Sequence, residues 1–559
     1  MKVSCVLPAL LFVSSALAQN PPAPIAPNEP ATPNLPAVKP LEVPARPGIA
    51  GELSLTLDEV IRKVLDNDPD LVVARLAAQE AVFNVNGAKG YYDPSLGLNA
   101  YRLRSVSPVA SLIGGSADGK LTQKSLYADP QLTGNFPWLG GTYALDFSSA
   151  RQSTDSTFTT LNPQFPTSVN LNLTQPLWRG LRFDQNRYRL QVARKNVSLS
   201  NEQLRQRVIE IVTQAIQSYW ELDYAYRNLT VQIEGVRLAE QQDLSNRRQV
   251  KQGILAPVDV IQTQTQISTF QQTVFSAQAD LTRAENTLKQ LTLAGRQDPA
   301  WNMALVPTTA LRLEDNVPSL ADALQEALGS RPEIAEVQTN IDLNGLDMRL
   351  SREQAKPQIN ALAKLSAVGL SGRELPFVTS PLLQELGLTA GTLPIIFPGG
   401  YSQSLSNVAK GVFPSVQLGV QMNLPIRNRT ALAQVAVNAA QGKRLAAQQE
   451  SVEMAVEADV RNTLQALLAA RARLGAAESA SKFAQEQYLS EQRQFQAGTS
   501  SVFLVLQRQT DLVAARSREI RARADVGNAL ADLDRATAHT LAAQRIDLVD
   551  GNKPVRPPQ

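Results

Sequence analysis

The sequence predicts a mainly α-helical, exported protein made of two copies of one unit: a helix pair, alternating strand segments and a very long helical hairpin. Three observations predict it. A helical pattern over residues 183–293 returns, much altered, over 429–541, and one short break divides each copy. Residues 184–251 contain no proline, and these roughly 68 residues make about 100 Å of helix at 1.5 Å per residue. Globular helices average about 11–12 residues, so a helix this long needs a coiled-coil-like assembly to bury its apolar stripe. Finally, Pro69-Asp70-Leu71 is matched by Pro332-Glu333-Ile334, which sets a repeat of roughly half the chain.

Residues 1–18 read as a secretory signal, with Lys2, an apolar stretch over 6–13 and Ala16-Leu17-Ala18 before Gln19. The single cysteine, Cys5, leaves with that peptide, so the mature chain is expected to lack disulfides, thiolate nucleophiles and cysteine metal sites. One histidine, His539, is too few for a histidine-based catalytic or metal constellation; no metal, cofactor or catalytic residue is expected. With 54 basic and 51 acidic residues the charge is nearly balanced, which gives no sign of nucleic-acid binding. No apolar run reaches the roughly 18 residues of a spanning helix, so an exported chain of this kind enters a membrane as a β-barrel.

Residues 19–52 form a proline-rich tether that reads as an extended spacer. Ser54 or Thr56 then caps a helix carrying Leu57, Val60, Ile61, Val64 and Leu65 on one face. Asn67-Asp68-Pro69 ends it, and a second helix runs to about Lys89. The arrangement recurs after Ser319, with Leu320, Ala323, Leu324, Ala327 and Leu328, a break at Ser330-Arg331-Pro332, and a helix to about Lys356. The repeats are thus expected to span 53–317 and 318–541, with a tail over 542–559.

Residues 95–103, 142–147, 168–174, 358–365 and 415–422 alternate with period two. A β-sandwich gives the same alternation, and the segments alone favour it over a barrel. The stretches 105–136, 152–166 and 369–413 read as long loops. Proline closes the last strand of each copy: Pro176 in Gln175-Pro176-Leu177-Trp178-Arg179-Gly180 and Pro425 in Asn423-Leu424-Pro425-Ile426. Lacking an N–H, it marks a strand-to-helix junction. Tyr91, Tyr92, Tyr101, Trp138, Tyr143 and Trp178 gather around the strands, as in an interfacial belt. The hairpin breaks carry Gly253 and Gly498, suited to the left-handed residue after a helix, followed by Pro257 or by Thr499, Ser500 and Ser501 as helix starters.

This doubled order resembles the TolC family of outer-membrane efflux proteins, most specifically at Thr174–Gly180 and the two tips. The resemblance implies a homotrimer in which each chain gives four strands to a twelve-stranded outer-membrane barrel, continuous with a long periplasmic α-helical barrel. It implies a passive exit duct for efflux or type I secretion, opened by a periplasmic adaptor linked to an inner-membrane pump. Gly253, Ile254, Leu255, Gly498, Thr499 and Ser500 then match adaptor-contacting tips, and Asp259 and Phe495 match entrance-gate positions. Leu504 and Gln507 stand where the family pattern places acidic selectivity residues, and Ser500 where it places a gating arginine. For Asp259 a first-turn carboxylate favoured by the helix dipole is the plain alternative, as hairpin packing is for Phe495. The rival classes are a secreted structural or adhesive coiled-coil trimer without a barrel, and a periplasmic enzyme using carboxylates.

Overall fold

The computed structural model describes residues 39–110, 119–156, 159–311, 317–375 and 393–547. The expected signal peptide with Cys5, most of the expected tether, residues 376–392 of the stretch read as a loop, and the end of the expected tail lie outside them. The first repeat runs β1 (Gly51–Leu55), α1 (Leu57–Asn67), α2 (Pro69–Lys89), β2 (Ser95–Pro108), β3 (Lys120–Asn135), β4 (Thr142–Thr154), β5 (Leu161–Pro176), α3 (Gln185–Lys251) and α4 (Pro257–Thr292). The second, which opens ahead of the expected boundary at 318, runs β6 (Met303–Pro307), α5 (Leu320–Ser330), α6 (Pro332–Gln354), β7 (Gln358–Glu374), α7 (Tyr401–Ala409), β8 (Phe413–Asn423), α8 (Arg429–Gln496), α9 (Val502–Ala536) and the turn α10 (Thr540–Ala543). The chain divides into two compact units; the larger comprises Ala45–Leu229, Gln278–Ser481 and Arg516–Gln559.

In the larger unit, local chemistry places the helix pairs where the sequence puts them. Thr56 and Glu59 form a reciprocal capping box at the start of α1, with backbone-to-side-chain bonds of 3.3 and 2.9 Å. Asp68 ends α1 and caps α2, its carboxylate accepting from the amides of Asp70 and Leu71. In the second copy Arg331 stands at that position; it caps nothing and instead bonds Glu333 at 2.8 Å and Asp459 at 2.9 Å.

Beside these helices a parallel pair, β1 with β6, joins the starts of the two repeats. The sequence does not announce it, because five residues are too few to show a period. Tyr219 of α3 fastens the pair: fully buried, its hydroxyl accepts the Thr309 N–H at 2.8 Å and lies 3.4 Å from the Leu55 carbonyl. Next to it Trp220 packs edge-on to Tyr219 and against the bare backbone of Gly527.

All six long strands form one antiparallel sheet in the order β2-β3-β4-β5-β7-β8. This corrects the expectation of four strands per chain. The stretch 105–136, expected as loop, contains the whole of β3, and β4 and β5 extend into the stretch read as the 152–166 loop. The alternation of β3 is masked by Pro130 and by polar residues on one face, Gln123, Ser125, Asp129 and Gln131. In the sheet those residues face the same way as the polar residues of their neighbours: Ser148 Oγ donates to Asp129 at 2.6 Å, and Asn172 Nδ2 to Asp146 at 2.8 Å. The short α7 lies on the ends of β5 and β7. Room for it comes from Gly369, where a Cβ would stand 2.2 Å from the Ser404 carbonyl oxygen.

At the root of α3, the Tyr188 hydroxyl donates to Asp347 of α6. Burial, and then this carboxylate, push the Tyr188 pKa up to about 12 from 10.0. The fold uses the protonated phenol, so the bond contributes fully below about pH 10 and is lost as pH rises through about 12. Tyr188→Phe is expected to cost about 1–2 kcal/mol at neutral pH, its exposure lowering the usual charge-assisted value. Thermal melts of both proteins should show that gap constant to about pH 10 and closing towards pH 12; a gap unchanged at the alkaline end would contradict the assignment.

Candidate functional site: helical tips and strand exits

The smaller unit holds both hairpin tips, within Thr230–Ala277 and Lys482–Ala515. They are built alike. At the end of α3, Gly253 has φ +75°; its N–H donates to the Val250 carbonyl and that of Ile254 to the Gln249 carbonyl. At the end of α8, Gly498 has φ +80°; its N–H donates to Phe495 and that of Thr499 to Gln494. Both are the same left-handed cap with the same bond spacing. Nothing lies within 4 Å of a Cβ built at either glycine, so conformation and not space requires them. Gly498→Ala is therefore expected to cost about 1–2 kcal/mol, speeding exchange of the Gly498 and Thr499 amides about 5–30-fold. Hydrogen exchange that stays at the wild-type rate would contradict the left-handed cap.

The side chains around these caps sort into two kinds. Ile254 is 68% exposed and Phe503 63% exposed, while Leu255 turns back onto a buried cluster of Tyr488, Phe495, Val502, Val505 and Leu506. Ser500 bonds Glu491, and Ser501 caps α9 at the Leu504 amide. Asp259, in the first turn of α4, accepts the Ala256 N–H at 3.2 Å. Beneath it runs a buried polar chain that sequence reasoning missed. Gln242 donates to Asn246, Asn246 to Thr263 Oγ1, and Thr263 to the Asp259 carbonyl, at 2.8, 2.8 and 2.9 Å. The i,i+4 spacing of Gln242 and Asn246 was its only sequence signal. It fixes the two arms of the first hairpin against each other.

In the larger unit the strand exits are equally well held. Pro176 is the last residue of β5, and the following Leu177 N–H donates to the Ile359 carbonyl of β7. Pro425 follows β8, and Asn428 after it bonds the Ala355 carbonyl. Asp184 starts α3, accepting from the Asn186 and Arg187 amides and pairing with the Arg187 guanidinium at 2.9 Å. Against this exit rests the β3–β4 turn: Gln175 Nε2 donates to the Leu139 carbonyl, and Leu139 and Gly140 both have positive φ. Trp138 and Trp178 stand largely exposed beside the exit. Among the described residues no helix is long and apolar enough to cross a membrane.

The family model for outer membrane efflux proteins matches residues 60–292 and 323–539. The chain belongs to this family. Accordingly it is an outer-membrane efflux duct that extends into the periplasm, of a family that acts with adaptor and inner-membrane pump partners. The family is one of efflux channels. Among solved structures, the chain is similar to CusC, described by its transmembrane channel formation, at 16% identity and TM-score 0.60, covering 87% of this chain and 94% of that one. The CmeC outer membrane channel of Campylobacter jejuni matches at 14% and 0.60, covering 87% and 89%. The open state of the Neisseria gonorrhoeae MtrE channel matches at 15% and 0.57, covering 86% and 88%. At these identities the likeness is one of fold. No curated protein sequence matches the chain.

Proposed function

We propose that this outer membrane efflux protein works as a homotrimer, a passive duct closed at rest at its helical tips and opened there by a periplasmic adaptor. The observation that carries the reading is the open sheet. Its edges, β2 with 14 residues and β8 with 11, have no further strand partner among the described residues. Unpaired backbone groups in lipid cost several kcal/mol each, so a sheet in the outer membrane is completed by copies of itself. Three copies follow from the family resemblance, with membrane lipid covering the apolar face.

At the tips, exposed Ile254, Val258 and Phe503 offer an adaptor an apolar seat, alongside Gly253, Leu255, Gly498, Thr499 and Ser500. Adaptor binding stabilises an open packing of the hairpins, and the pump supplies the energy. Asp259 serves both as cap and as the carboxylate at the constriction, and Phe495 holds the second hairpin closed from its buried cluster. Planar-bilayer recording of the detergent-extracted protein tests the gate. Wild type should show a small, stable conductance that rises, or changes ion selectivity, in Asp259→Ala. An unchanged conductance would keep the duct and remove Asp259 from its gate.

A further inference from the structure

We propose that all six long strands of each chain, the β3–β4 hairpin included, form the barrel wall, so that three chains close a barrel of eighteen strands, not twelve. The total rests on the trimer proposed above; the six per chain is read from the sheet itself.

Topology makes the first argument. Among the described residues β2 is hydrogen-bonded as a strand only to β3, β3 to β2 and β4, and β4 to β3 and β5. Within the chain β2 therefore reaches the rest of the sheet through the hairpin. If β2 lines the wall, β3 and β4 line it too.

Polarity makes the second. Following the register across the sheet, one row reads Leu96, Leu132, Leu145, Leu171, Leu365 and Val416. The adjacent row, on the other face, reads Gly97, Gln131, Asp146, Asn170, Ser366 and Ser415. In these two rows one face is apolar and the other polar across all six strands, and the hairpin is in phase with the rest. That is the pattern of a wall with lipid outside and water inside. A hairpin plugging the lumen or lying in the external medium has no use for an apolar row in register with its neighbours. The two ends of the apolar row are open in the single chain, Leu96 at 77% and Val416 at 66% exposure.

Length and ends make the third. β3 has 16 residues and β4 has 13, against the roughly 9–11 that cross a bilayer. Their shared turn carries exposed Trp138 and Leu139 and docks at the Gln175–Gly180 exit, the level of Trp178. An aromatic residue at that level is where an interfacial belt would stand.

Strands about 4.8 Å apart and tilted by about 40° give an eighteen-stranded barrel roughly 36 Å across, about 1.5-fold wider than a twelve-stranded one. The hairpin adds wall without adding a helix. It thus widens the outer mouth while leaving the helical part of each repeat unchanged in number.

Spin labels read the wall directly, and the mature sequence contains no cysteine of its own to interfere. Full-length Leu132→Cys, Leu145→Cys, Gln131→Cys and Asp146→Cys are labelled in liposomes, with Leu171→Cys and Asn170→Cys as references in β5. Expected is oxygen-accessible signal at 132 and 145 and nickel-chelate-accessible signal at 131 and 146, in phase with 171 and 170. Water accessibility on both faces of the hairpin would overturn the proposal. Strand counting by electron cryomicroscopy of the unsubstituted protein decides independently of whether those variants fold. Six wall strands per chain supports the inference even in a ring of other than three, which would overturn the trimer alone. A ring of three with four wall strands per chain keeps the trimer and overturns the inference.

Discussion

Replacing Tyr219 with alanine is expected to lower stability by about 3–5 kcal/mol, the cost of deleting a buried aromatic ring. The ring is completely enclosed, and it packs beside Trp220 among residues of α1, α3, α4 and β6. Its hydroxyl also meets the Thr309 amide and the Leu55 carbonyl. Tyr219→Phe separates the two contributions: it keeps the packing and strands the Thr309 N–H, for about 1–3 kcal/mol. Denaturant titration of the extracted protein, followed by circular dichroism of the helices, measures both. A loss under about 1 kcal/mol for the alanine variant would mean that this core collapses around the gap, contrary to its tight packing.

The second large effect is expected at Gly140. A Cβ there would stand 2.6 Å from the Gly180 carbonyl oxygen and 2.8 Å from Asp184 Oδ2, and the residue has φ +66°. One neighbour is backbone of the strand exit and the other is the carboxylate that caps α3, so neither can give way cheaply. Gly140→Val should cost about 1–2 kcal/mol in left-handed strain and about 1–3 kcal/mol more in overpacking. The expected readout is a drop in folded, membrane-inserted protein, with new protease cleavage at the β3–β4 turn. Wild-type yield and protection would show that the turn does not rest on the exit.

What was legible in the sequence was local. Thr56 with Glu59, Pro69, and the glycines at 253 and 498 each act on amides within a few residues, and the structure places all of them in those roles. Pro176 is the last residue of β5 and Pro425 follows the end of β8. What was not legible depends on partners far along the chain. β1 and β6 are too short to show a period and exist because they pair with each other. β3 reads as a loop because Pro130 and its polar face hide the alternation until Asp129 and Gln131 are set beside the polar residues of β4. At the tips, Asp259 is legible as a first-turn carboxylate, whereas the Gln242–Asn246–Thr263 chain beneath it needs both arms of the hairpin.

Closure of the sheet by copies of the same chain is read out by cross-linking its two edges. Double-cysteine variants pair one outward residue of β2 (Leu96, Leu98 or Ala100) with one of β8 (Val416, Leu418 or Val420) and are oxidised in the outer membrane. Expected, for the pair in register, are covalent species of two and three chains and none larger, because the third link closes the ring. Monomer alone across the whole panel, or a ladder continuing past three, would contradict it.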